Sequence, residues 1–406
     1  MRILIVSIYY KPEPVPKPHE LAEGLAARGH EVTVLTGFPN YPSGRLYPGF
    51  AVRPWRTNVV NGVRVVRLPL YPDHSASALL RSAHYVTFFL SALALGPVLS
   101  GLIDVVYVWG NPPTSGLAGW IISRLRRARF VYGVHDLWPD LALAAGMIQS
   151  SLVARMIDAL ERFVLRKADL VLPISDGFRR RILEKGVPAE RLYVIPHWAD
   201  GALYRPVPRD PALAERLGLS SCFVVLYAGN VGRLQGLQNL IEAADLLRRT
   251  HASLRVVVMG DGVERPRLKG IVTERQINNV MFIDPEPPAR VAVYSALADV
   301  LYVGLVSSTL SPLSVPSKVQ TYLACGRPIL SNVPGETAEL VSRGCFGLNC
   351  ESDTPQGIAE GIRRMAALSE NERAVMGKKA RQVFIEEFEM SSLLGRHEKL
   401  MEALLV

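Results

Sequence analysis

Cysteine is scarce in this sequence, and the motifs of several large enzyme classes are absent. Four cysteines occur among 406 residues, all in the second half. They are too few for a disulfide scaffold and have no Cys or His neighbours at zinc-ligand spacing. The sequence also lacks a D-x-D pair, a G-x-S-x-G motif, the Walker A pattern and the G-x-G-x-x-G fingerprint. These absences argue against a bound catalytic metal, serine-hydrolase chemistry, ATP hydrolysis and NAD chemistry.

Low-complexity and strongly charged tracts are absent as well. Charged residues make up 20% of the chain and hydrophobic residues 49%, which excludes a disordered protein. A chain of 406 residues is longer than one hydrophobic core usually serves, so two or three domains are expected. The apolar N-terminal run meets Lys11 and prolines without an A-x-A site. We therefore expect a buried first strand rather than a signal peptide, and a protein of a reducing compartment.

Acidic residues are under-represented in the first half of the chain. Residues 1–200 hold 23 Lys and Arg against 15 Asp and Glu, whereas residues 201–406 hold 23 against 22. A basic half is compatible with nucleic acid, an anionic lipid surface or a phosphorylated substrate. Since no nucleic-acid-binding motif accompanies the charge, we do not expect a nucleic-acid partner.

Residues 86–103 contain no charged side chain. As a helix they would measure about 27 Å, near the thickness of a bilayer core. Gly96-Pro97 interrupts this run and a strand-like segment follows at once, which argues against a membrane span. Two alternatives stay open: a helix in the lipid interface, with Arg81 and His84 near its start, and a buried domain helix.

Short apolar runs alternate with helix-length segments along most of the chain, and this pattern predicts parallel sheets covered by helices on both faces. A Pro- and Asp-rich stretch near residues 197–210 interrupts the alternation and predicts a linker between two doubly wound domains. We expect a cleft between them, because ligands in open α/β sheets lie beyond the carboxyl ends of the strands. The predicted strands are 2–8, 31–35, 105–108, 129–134, 170–174, 192–195, 223–228, 254–259, 280–283, 300–304 and 328–331, and residues 370–406 are predicted to be a helix.

The strongest local signal is the glycine-rich segment that follows the predicted strand 223–228. Gly229, Asn230, Gly232, Arg233 and Gln235 lie between this strand and a predicted helix. Glycines let backbone N–H groups approach an anion, the helix N-terminus adds its dipole, and an arginine offers a fork of donors. The segment is therefore a candidate diphosphate site; the alternative is a glycine-rich turn with a solvated arginine.

A second candidate anion site opens the helix predicted after Pro316. Ser317 and Lys318 would bring a hydroxyl, an ammonium and a helix N-terminus together, although an ordinary capped helix has the same pattern. Gly260 follows the predicted strand 254–259 at the same edge of the predicted sheet, and taken alone it does not indicate an anion site.

In the first half, two loops that follow predicted strands carry polar and aromatic residues. His135 and Asp136 follow strand 129–134, where they could move a proton or bind a sugar hydroxyl. Asn40 and Tyr41 lie in a Pro- and Gly-rich loop and suit carbohydrate or lipid-phosphate contacts. A structural histidine and an ordered turn are the corresponding alternatives.

Several strings occur together and in one order: RGHEVTVLTGFPNYPSG, HDLWPD, YAGNVGRLQGL and PSKVQTYLACGRPI. In combination they resemble the retaining glycosyltransferases of family 4, which have the GT-B fold of two Rossmann-like domains. The resemblance runs nearly end to end. Within the family, the sequence is similar to the branch that builds bacterial surface polysaccharides, including O-antigen fucosamine transferases and colanic-acid transferases. It implies an N-terminal acceptor domain over residues 1–203, completed by a helix at 388–406, and a donor domain over residues 204–387.

The resemblance implies transfer of a sugar, with retention, from a UDP-sugar to a polyprenyl-diphosphate-linked glycan at the cytoplasmic face of the plasma membrane. An N-acetylated or deoxy amino sugar is a candidate, no metal or cofactor is expected, and the basic first half with residues 79–103 would contact the membrane. It assigns catalytic roles to His135, Arg233 and Lys318, donor binding to Gly229, Asn230, Gly232, Gln235, Gly260, Ser317 and Thr321, and acceptor binding to Asn40, Tyr41 and Asp136.

Three features depart from the family pattern. Gln235 stands where many members have a lysine, Leu313 and Thr321 replace a pair of glutamates, and Val15-Pro16 replaces a Gly-Gly loop. Two other functions therefore stay open: a nucleotide-sugar epimerase with the same fold, and a catalytically silent protein that binds a nucleotide sugar or a membrane.

Overall fold

The computed structural model describes the chain except for residues 76, 111, 141, 142, 144–147, 149 and 314. The chain divides into two compact units, one formed by Met1–Pro196 with Leu394–Val406 and the other by His197–Leu393. The family resemblance implies domain boundaries after residues 203 and 387, whereas the structural divisions fall after Pro196 and Leu393.

The first unit contains a seven-stranded sheet in the order β3-β4-β2-β1-β5-β6-β7. Strand β3 runs antiparallel to β4, and the other described neighbours are parallel. The strands are β1 (Arg2–Val6), β2 (Glu31–Gly37), β3 (Arg56–Val60), β4 (Val63–Leu68), β5 (Val105–Trp109), β6 (Arg129–Val134) and β7 (Leu170–Pro173). The helices are α1 (Pro16–Ala27), α2 (Ala78–Leu99), α3 (Pro113–Arg126), α4 (Ser151–Lys167) and α5 (Asp176–Glu184).

The second unit contains a six-stranded parallel sheet in the order β10-β9-β8-β11-β12-β13. The strands are β8 (Phe223–Ala228), β9 (Leu254–Met259), β10 (Val280–Ile283), β11 (Val300–Val303), β12 (Ile329–Ser331) and β13 (Gly347–Asn349). The helices are α6 (Pro211–Arg216), α7 (Leu237–Leu247), α8 (Arg265–Glu274), α9 (Pro288–Ser295), α10 (Ser317–Ala324), α11 (Glu336–Gly344), α12 (Pro355–Ala367) and α13 (Glu370–Glu387), while α14 (Met390–Ala403) begins here and ends in the first unit.

Strand β8 shows why short, wholly apolar runs form the centre of such a sheet. Val224 and Leu226 belong to one hydrophobic cluster of the second unit, whereas Val225 and Tyr227 belong to another. Successive side chains of a strand point to opposite faces, so a strand that is buried on both sides must be apolar throughout. The prediction of α/β architecture with two parallel-sheet units is confirmed.

A β-hairpin in the first unit is absent from the sequence prediction. Asn61 and Gly62 connect β3 to β4 and have φ angles of 49° and 80°. Positive φ at both central residues defines a type I′ turn, for which Asn-Gly is the preferred sequence. Residues 192–195, predicted to be a strand, do not form one: Leu192 makes an isolated bridge with Val171, and the N–H groups of Tyr193 and Ile195 donate to Val171 O at 3.2 Å and Pro173 O at 3.0 Å beside β7.

The C-terminal segment is two helices rather than the one predicted over residues 370–406. Helix α13 ends where Ala199 N–H donates to Phe388 O and Met390 N–H donates to Ala199 O, each at 3.1 Å. Beyond this break, Glu398 accepts from Arg28 at 3.2 Å and lies 2.8 Å from His30 Nε2. Ala199, far from α13 along the chain, thus marks where this helix ends, and local sequence does not reveal that contact.

Candidate functional site

The glycine-rich loop of the second unit begins at Gly229, directly after β8. Gly229 and Gly260 have φ angles of 139° and 137°, a region that side chains rarely adopt. A Cβ atom on Gly260 would lie 2.0 Å from the carbonyl oxygen of Gly229, so the loops after β8 and β9 approach too closely for a side chain there. Gly229 and Gly260, both predicted to bind the sugar donor, are therefore glycines because of their backbone angles and the close approach of the two loops.

Hydrogen bonds inside this loop already use part of the predicted main-chain cradle. The N–H groups of Gly229 and Val231 donate to Met259 O at 2.9 Å and to Asp261 O at 2.7 Å. The Gly232 N–H donates to Gln235 Oε1 at 3.1 Å. Gln235, predicted as a donor-binding residue, thus caps its own loop, and an ammonium in its place could not accept this bond.

Arg233 lies on the surface of the same loop. Its side chain is 85% exposed, and its Nε lies 3.4 Å from Glu264 Oε1. Glu264 also accepts from Arg267 Nε at 2.7 Å. The structure therefore directs Arg233 toward a carboxylate that a second arginine already neutralises, which leaves its guanidinium able to turn toward an anion at small electrostatic cost.

Lys318 lies in the first turn of α10 and reaches back to the end of β8. Its ammonium donates to Tyr227 Oη at 2.6 Å and stands 3.9 Å from the centre of that ring. The same nitrogen lies 3.9 Å from where a Cβ of Gly229 would be. The structure thus brings two of the sequence-predicted site residues, Lys318 and Gly229, together.

The electrostatic environment of Lys318 favours an added anion. Among the described residues no carboxylate forms a salt bridge with it, and burial lowers the pKa of its ammonium to about 7. Tyr227, its hydrogen-bond partner, donates in turn to Asn230 O at 2.5 Å. Among the described residues the hydroxyl and the ring of Tyr227 are its partners, so a nearby phosphate would offset the cost of the desolvated charge.

Tyr322, in the last turn of α10, fixes this helix against the end of β8 and is not among the residues predicted from the sequence. Its hydroxyl accepts from Ala228 N–H at 2.7 Å and donates to Ala228 O at 3.1 Å. This pair of bonds ties α10 to the residue before Gly229. Of the other residues predicted on this helix, Ser317 is exposed and Thr321 is half-buried.

His135 in the first unit follows β6 as predicted. Its imidazole stacks on the indole of Trp109, with ring centres 3.4 Å apart and an angle of 8° between the planes. A Cβ on Gly133 would lie 2.8 Å from His135 Nε2, so the missing side chain at Gly133 makes room for the ring. Asp136, the next residue, is half-buried.

The loop after β2 is held by a buried carboxylate that the sequence analysis did not identify. Glu13 accepts from the N–H groups of Asn40 and Tyr41, each at 2.8 Å, and from Tyr10 N–H at 3.0 Å. Asn40 is fully buried and its amide donates to Phe38 O at 2.9 Å. Its side chain is thus occupied in shaping the loop, whereas the ring of Tyr41 remains half-buried.

Helix α2 carries an apolar face that other elements of the first unit do not cover. Every fourth residue from His84 to Ser100 is buried, whereas Leu79, Val86, Leu90 and Val98 are exposed. Within the described residues, Leu79–Leu99 is one helix whose length and composition would suffice to cross a membrane, with a mean hydropathy of 1.4. An exposed apolar face of this length is unusual on a helix of a globular domain and makes α2 a candidate interaction surface.

Comparisons with known proteins identify relatives over nearly the whole chain. Residues 16–198 match the family described as a glycosyl transferase 4-like domain, and residues 214–383 match the glycosyl transferases group 1. The putative colanic acid biosynthesis glycosyl transferase WcaI of Escherichia coli K12 is 31% identical over 348 residues, which cover 80% of this chain and 82% of that protein. The probable glycosyltransferase WbjE of Pseudomonas aeruginosa is 28% identical over 272 residues, which cover 65% of this chain and 66% of that protein.

Solved structures share the fold over the full length. Anabaena Alr3699/HepE in complex with UDP and glucose has a TM-score of 0.71 at 18% identity and covers 99% of both chains. WaaG, a glycosyltransferase involved in lipopolysaccharide biosynthesis, has a TM-score of 0.70 at 16% identity and covers 98% of this chain and 99% of its own. At these identities the likeness shows the GT-B fold.

Proposed function

The chain belongs to the family 4 glycosyltransferases of the surface-polysaccharide type, with the GT-B fold, and on that premise we propose that it transfers a sugar from a UDP-sugar to a polyprenyl-diphosphate-linked glycan. The reaction proceeds with retention at the anomeric carbon, without a metal ion, at the inner face of the plasma membrane. An N-acetylated or deoxy amino sugar is the proposed cargo. A structural neighbour in complex with UDP and glucose supports the choice of nucleotide.

The observation that carries the proposal is the position of Lys318. Its desolvated ammonium lies beside the Gly229 backbone at the N-terminal end of α10 and forms no salt bridge with a described carboxylate. A diphosphate is the part of a UDP-sugar that such a cation and helix end suit. Arg233 would turn from Glu264 to the same diphosphate, so that two cations act where a metal ion acts in other transferases.

In the proposed reaction the acceptor hydroxyl attacks the anomeric carbon on the face from which the diphosphate leaves. The bond from that carbon to the phosphate oxygen breaks, a bond to the acceptor oxygen forms, and the departing phosphate oxygen takes the hydroxyl proton. Lys318 and Arg233 stabilise the negative charge that grows on the leaving group. His135 is assigned to the transferred sugar, and Tyr41 and Asp136 to the acceptor.

The membrane part of the proposal rests on α2 and on charge. The exposed apolar face of α2 belongs to the half of the chain that holds 23 Lys and Arg against 15 Asp and Glu. Apolar side chains that enter the lipid interface and cations that attract anionic headgroups reinforce each other. Docking at a membrane would bring the enzyme to a lipid-linked acceptor.

The proposal is tested with purified protein, a panel of UDP-sugars and a lipid extract that contains polyprenyl-linked glycans. We expect acceptor-dependent release of UDP in the presence of EDTA, and a product with the anomeric configuration of the donor.

Lys318→Met should abolish UDP binding in calorimetry without lowering the melting temperature, because it removes a desolvated charge and keeps the volume of the side chain. Lys379→Met, which changes an exposed lysine of α13, is the matched control.

Three results would refute the proposal. The first is an unchanged UDP affinity in Lys318→Met, and the second is conversion of the UDP-sugar to its epimer without an acceptor, which is the reaction of an epimerase. The third is tight binding of UDP-sugars with neither hydrolysis nor transfer for any donor, which would identify a silent nucleotide-sugar-binding protein.

A further inference from the structure

Five aromatic rings meet at the carboxyl edge of the first sheet, in a group that we call the histidine–tyrosine cluster. The cluster consists of Tyr9, Tyr41, His74, His84 and Tyr85. Tyr9, Tyr41 and His74 lie in the loops after β1, β2 and β4, while the other two lie on α2. Strands β4, β2 and β1 are neighbours in the sheet, so the loops at their carboxyl ends come together.

The rings form a continuous surface. The ring centre of Tyr41 lies 5.1 Å from that of Tyr9 and 4.9 Å from that of His74. His84 lies 5.5 Å from His74, and Tyr85 lies 5.4 Å from His84. His84 is buried and supports the group from beneath, whereas the other four rings are half-buried and reach solvent.

Polar ring atoms of the cluster are joined by hydrogen bonds. His84 Nδ1 lies 2.8 Å from Tyr71 O, and since a carbonyl only accepts, this nitrogen carries the proton and His84 Nε2 accepts. The hydroxyl of Tyr9 lies 3.1 Å from His74 Nε2 and 3.5 Å from His84 Nε2. The cluster thus offers both donors and acceptors beside its aromatic faces.

The cluster is also uncharged. Burial lowers the pKa of both histidines, that of His84 to about 4. Charged groups beside the cluster have polar partners, because Asp73 accepts from Ser75 Oγ at 3.1 Å, Arg81 donates to Ser75 O at 2.6 Å and Glu13 accepts from three backbone N–H groups. A ligand that recognises these rings is therefore a neutral group with an apolar face and polar edges, which is the description of a sugar ring.

Two neighbours of the cluster indicate which sugar. Tyr85 lies 6.4 Å from Trp138, in the loop that carries His135 and Asp136. Tyr85 is also adjacent in sequence to Val86, which belongs with Leu90 to the exposed apolar face of α2. A sugar on the cluster would thus have candidate reaction residues on one side and an apolar helix face on the other.

We propose that the histidine–tyrosine cluster binds the terminal sugar ring of the lipid-linked acceptor, with the lipid along the exposed face of α2. This inference rests on the proposed function, since it names the acceptor subsite of the same enzyme. The faces of Tyr41 and Tyr85 cover the apolar side of the sugar, and Tyr9 and His74 bind its hydroxyl groups.

Octyl glycosides serve as the probe, because each joins a neutral sugar to a short apolar chain. Octyl glucoside, galactoside and N-acetylglucosaminide are titrated below their critical micelle concentrations and followed by saturation-transfer NMR. We expect at least one to bind through its ring protons, and octyl glycerol, which has the chain but no sugar ring, to bind more weakly than that glycoside. Tyr9→Phe and His74→Phe keep the rings but remove hydrogen-bonding atoms, so each should weaken binding about three- to tenfold.

Tyr193→Ala is the matched control, since Tyr193 is an exposed tyrosine of the same unit outside the cluster. Wild-type affinity in Tyr9→Phe and His74→Phe, equal binding of octyl glycerol, or no binding of any glycoside would overturn the inference. Contact of uridine protons with the cluster would assign it to the donor instead and would also overturn it. Calorimetry with UDP on the same variants separates the two proposals, because loss of UDP binding concerns the proposed function, whereas this inference expects UDP affinity to stay unchanged.

Discussion

The fold does little to stabilise a positive charge on Lys318. Burial lowers the pKa of its ammonium to about 7, whereas an unfolded lysine titrates near 10.5. Below pH 7 both states are protonated, and the folded state bears the full cost of the buried charge. Between pH 7 and 10.5 the folded protein loses the proton that the unfolded chain retains, so the contribution of Lys318 to stability becomes less unfavourable as pH rises.

The same titration makes nucleotide binding depend on pH. If the diphosphate binds the protonated form, the Kd for UDP should rise about eightfold from pH 7.5 to 8.5, as the protonated fraction of a group with a pKa of about 7 falls. The diphosphate itself is fully ionised over this range, since the second pKa of a phosphate is about 6. Isothermal titration calorimetry in buffers of different ionisation enthalpy measures both the Kd and the proton uptake.

Lys318→Arg is the control for this prediction, because a guanidinium stays charged throughout the range. Its Kd should be nearly independent of pH between 7.5 and 8.5. A wild-type Kd that is equally flat, or a variant Kd that rises as steeply, would show that Lys318 does not titrate on binding.

Arg233 and Arg267 allow a paired test of the proposed electrostatic clamp. Both contact Glu264, but only Arg233 lies in the glycine-rich loop. Arg233→Ala should lower kcat/KM by a factor that corresponds to a loss of about 2–4 kcal/mol of transition-state stabilisation. Arg267→Ala should leave it within about 0.5 kcal/mol, as expected for an exposed ion pair. Equal effects of the two substitutions would assign both arginines to loop structure.

For Gln235, the departure from the family pattern can be read from the sequence, but its hydrogen bond cannot. That it replaces a lysine is visible in the string GNVGRLQG. That its Oε1 caps Gly232 depends on the 3₁₀ turn over Arg233–Gln235, which local composition does not specify. Tyr227 and Tyr322 were missed for a related reason, because buried tyrosines of a strand and a helix look like core until their hydroxyl groups are placed.

At the scale of elements, a buried ion pair fixes the loop after β6 that carries His135 and Asp136. Glu161 of α4 accepts from Trp138 N–H at 3.0 Å, and Lys185, just after α5, donates to Trp138 O at 2.8 Å. Glu161 and Lys185 also bind each other, and both are buried. Two helices thus hold both backbone groups of one loop residue.

Removing one member of this pair should be far more costly than replacing both. Lys185→Met leaves the Glu161 carboxylate buried without its main partner and should destabilise the protein by about 3–5 kcal/mol. The double variant Glu161→Gln with Lys185→Met should recover part of this loss, because a glutamine is neutral and still accepts from Trp138 N–H. Urea denaturation measures both, and a double variant no more stable than Lys185→Met would contradict the argument.

Helices and strands whose cause lies in the local sequence could be predicted, whereas those fixed by distant residues could not. Strand β8 is a continuous apolar run and β6 is one after its first residue, Arg129, and the structure gives them the predicted bounds of 223–228 and 129–134. The hairpin at Asn61-Gly62 had a local signal that the alternation of strands and helices concealed. The break between α13 and α14 had none, since Ala199 supplies its hydrogen bonds from far along the chain.

At the scale of the whole molecule, charge and apolar exposure are unevenly distributed. The excess of basic residues belongs to residues 1–200, and the second half is nearly neutral. The exposed face of α2 belongs to the basic half. An anionic membrane would attract the charge over about a Debye length, and the apolar face would then enter the lipid interface.

Vesicle flotation separates these two contributions. Binding should require anionic lipid and fall as salt rises from about 0.05 to 0.5 M, because salt screens headgroup attraction but not apolar burial. Val86→Glu should weaken binding at every salt concentration, since Val86 is 46% exposed on the proposed contact face. Val375→Glu is its match, because Val375 is 45% exposed on α13 of the nearly neutral half, and it should bind as wild type. Equal loss in both variants, or equal binding to neutral vesicles, would show that α2 and the basic half do not direct the protein to a membrane.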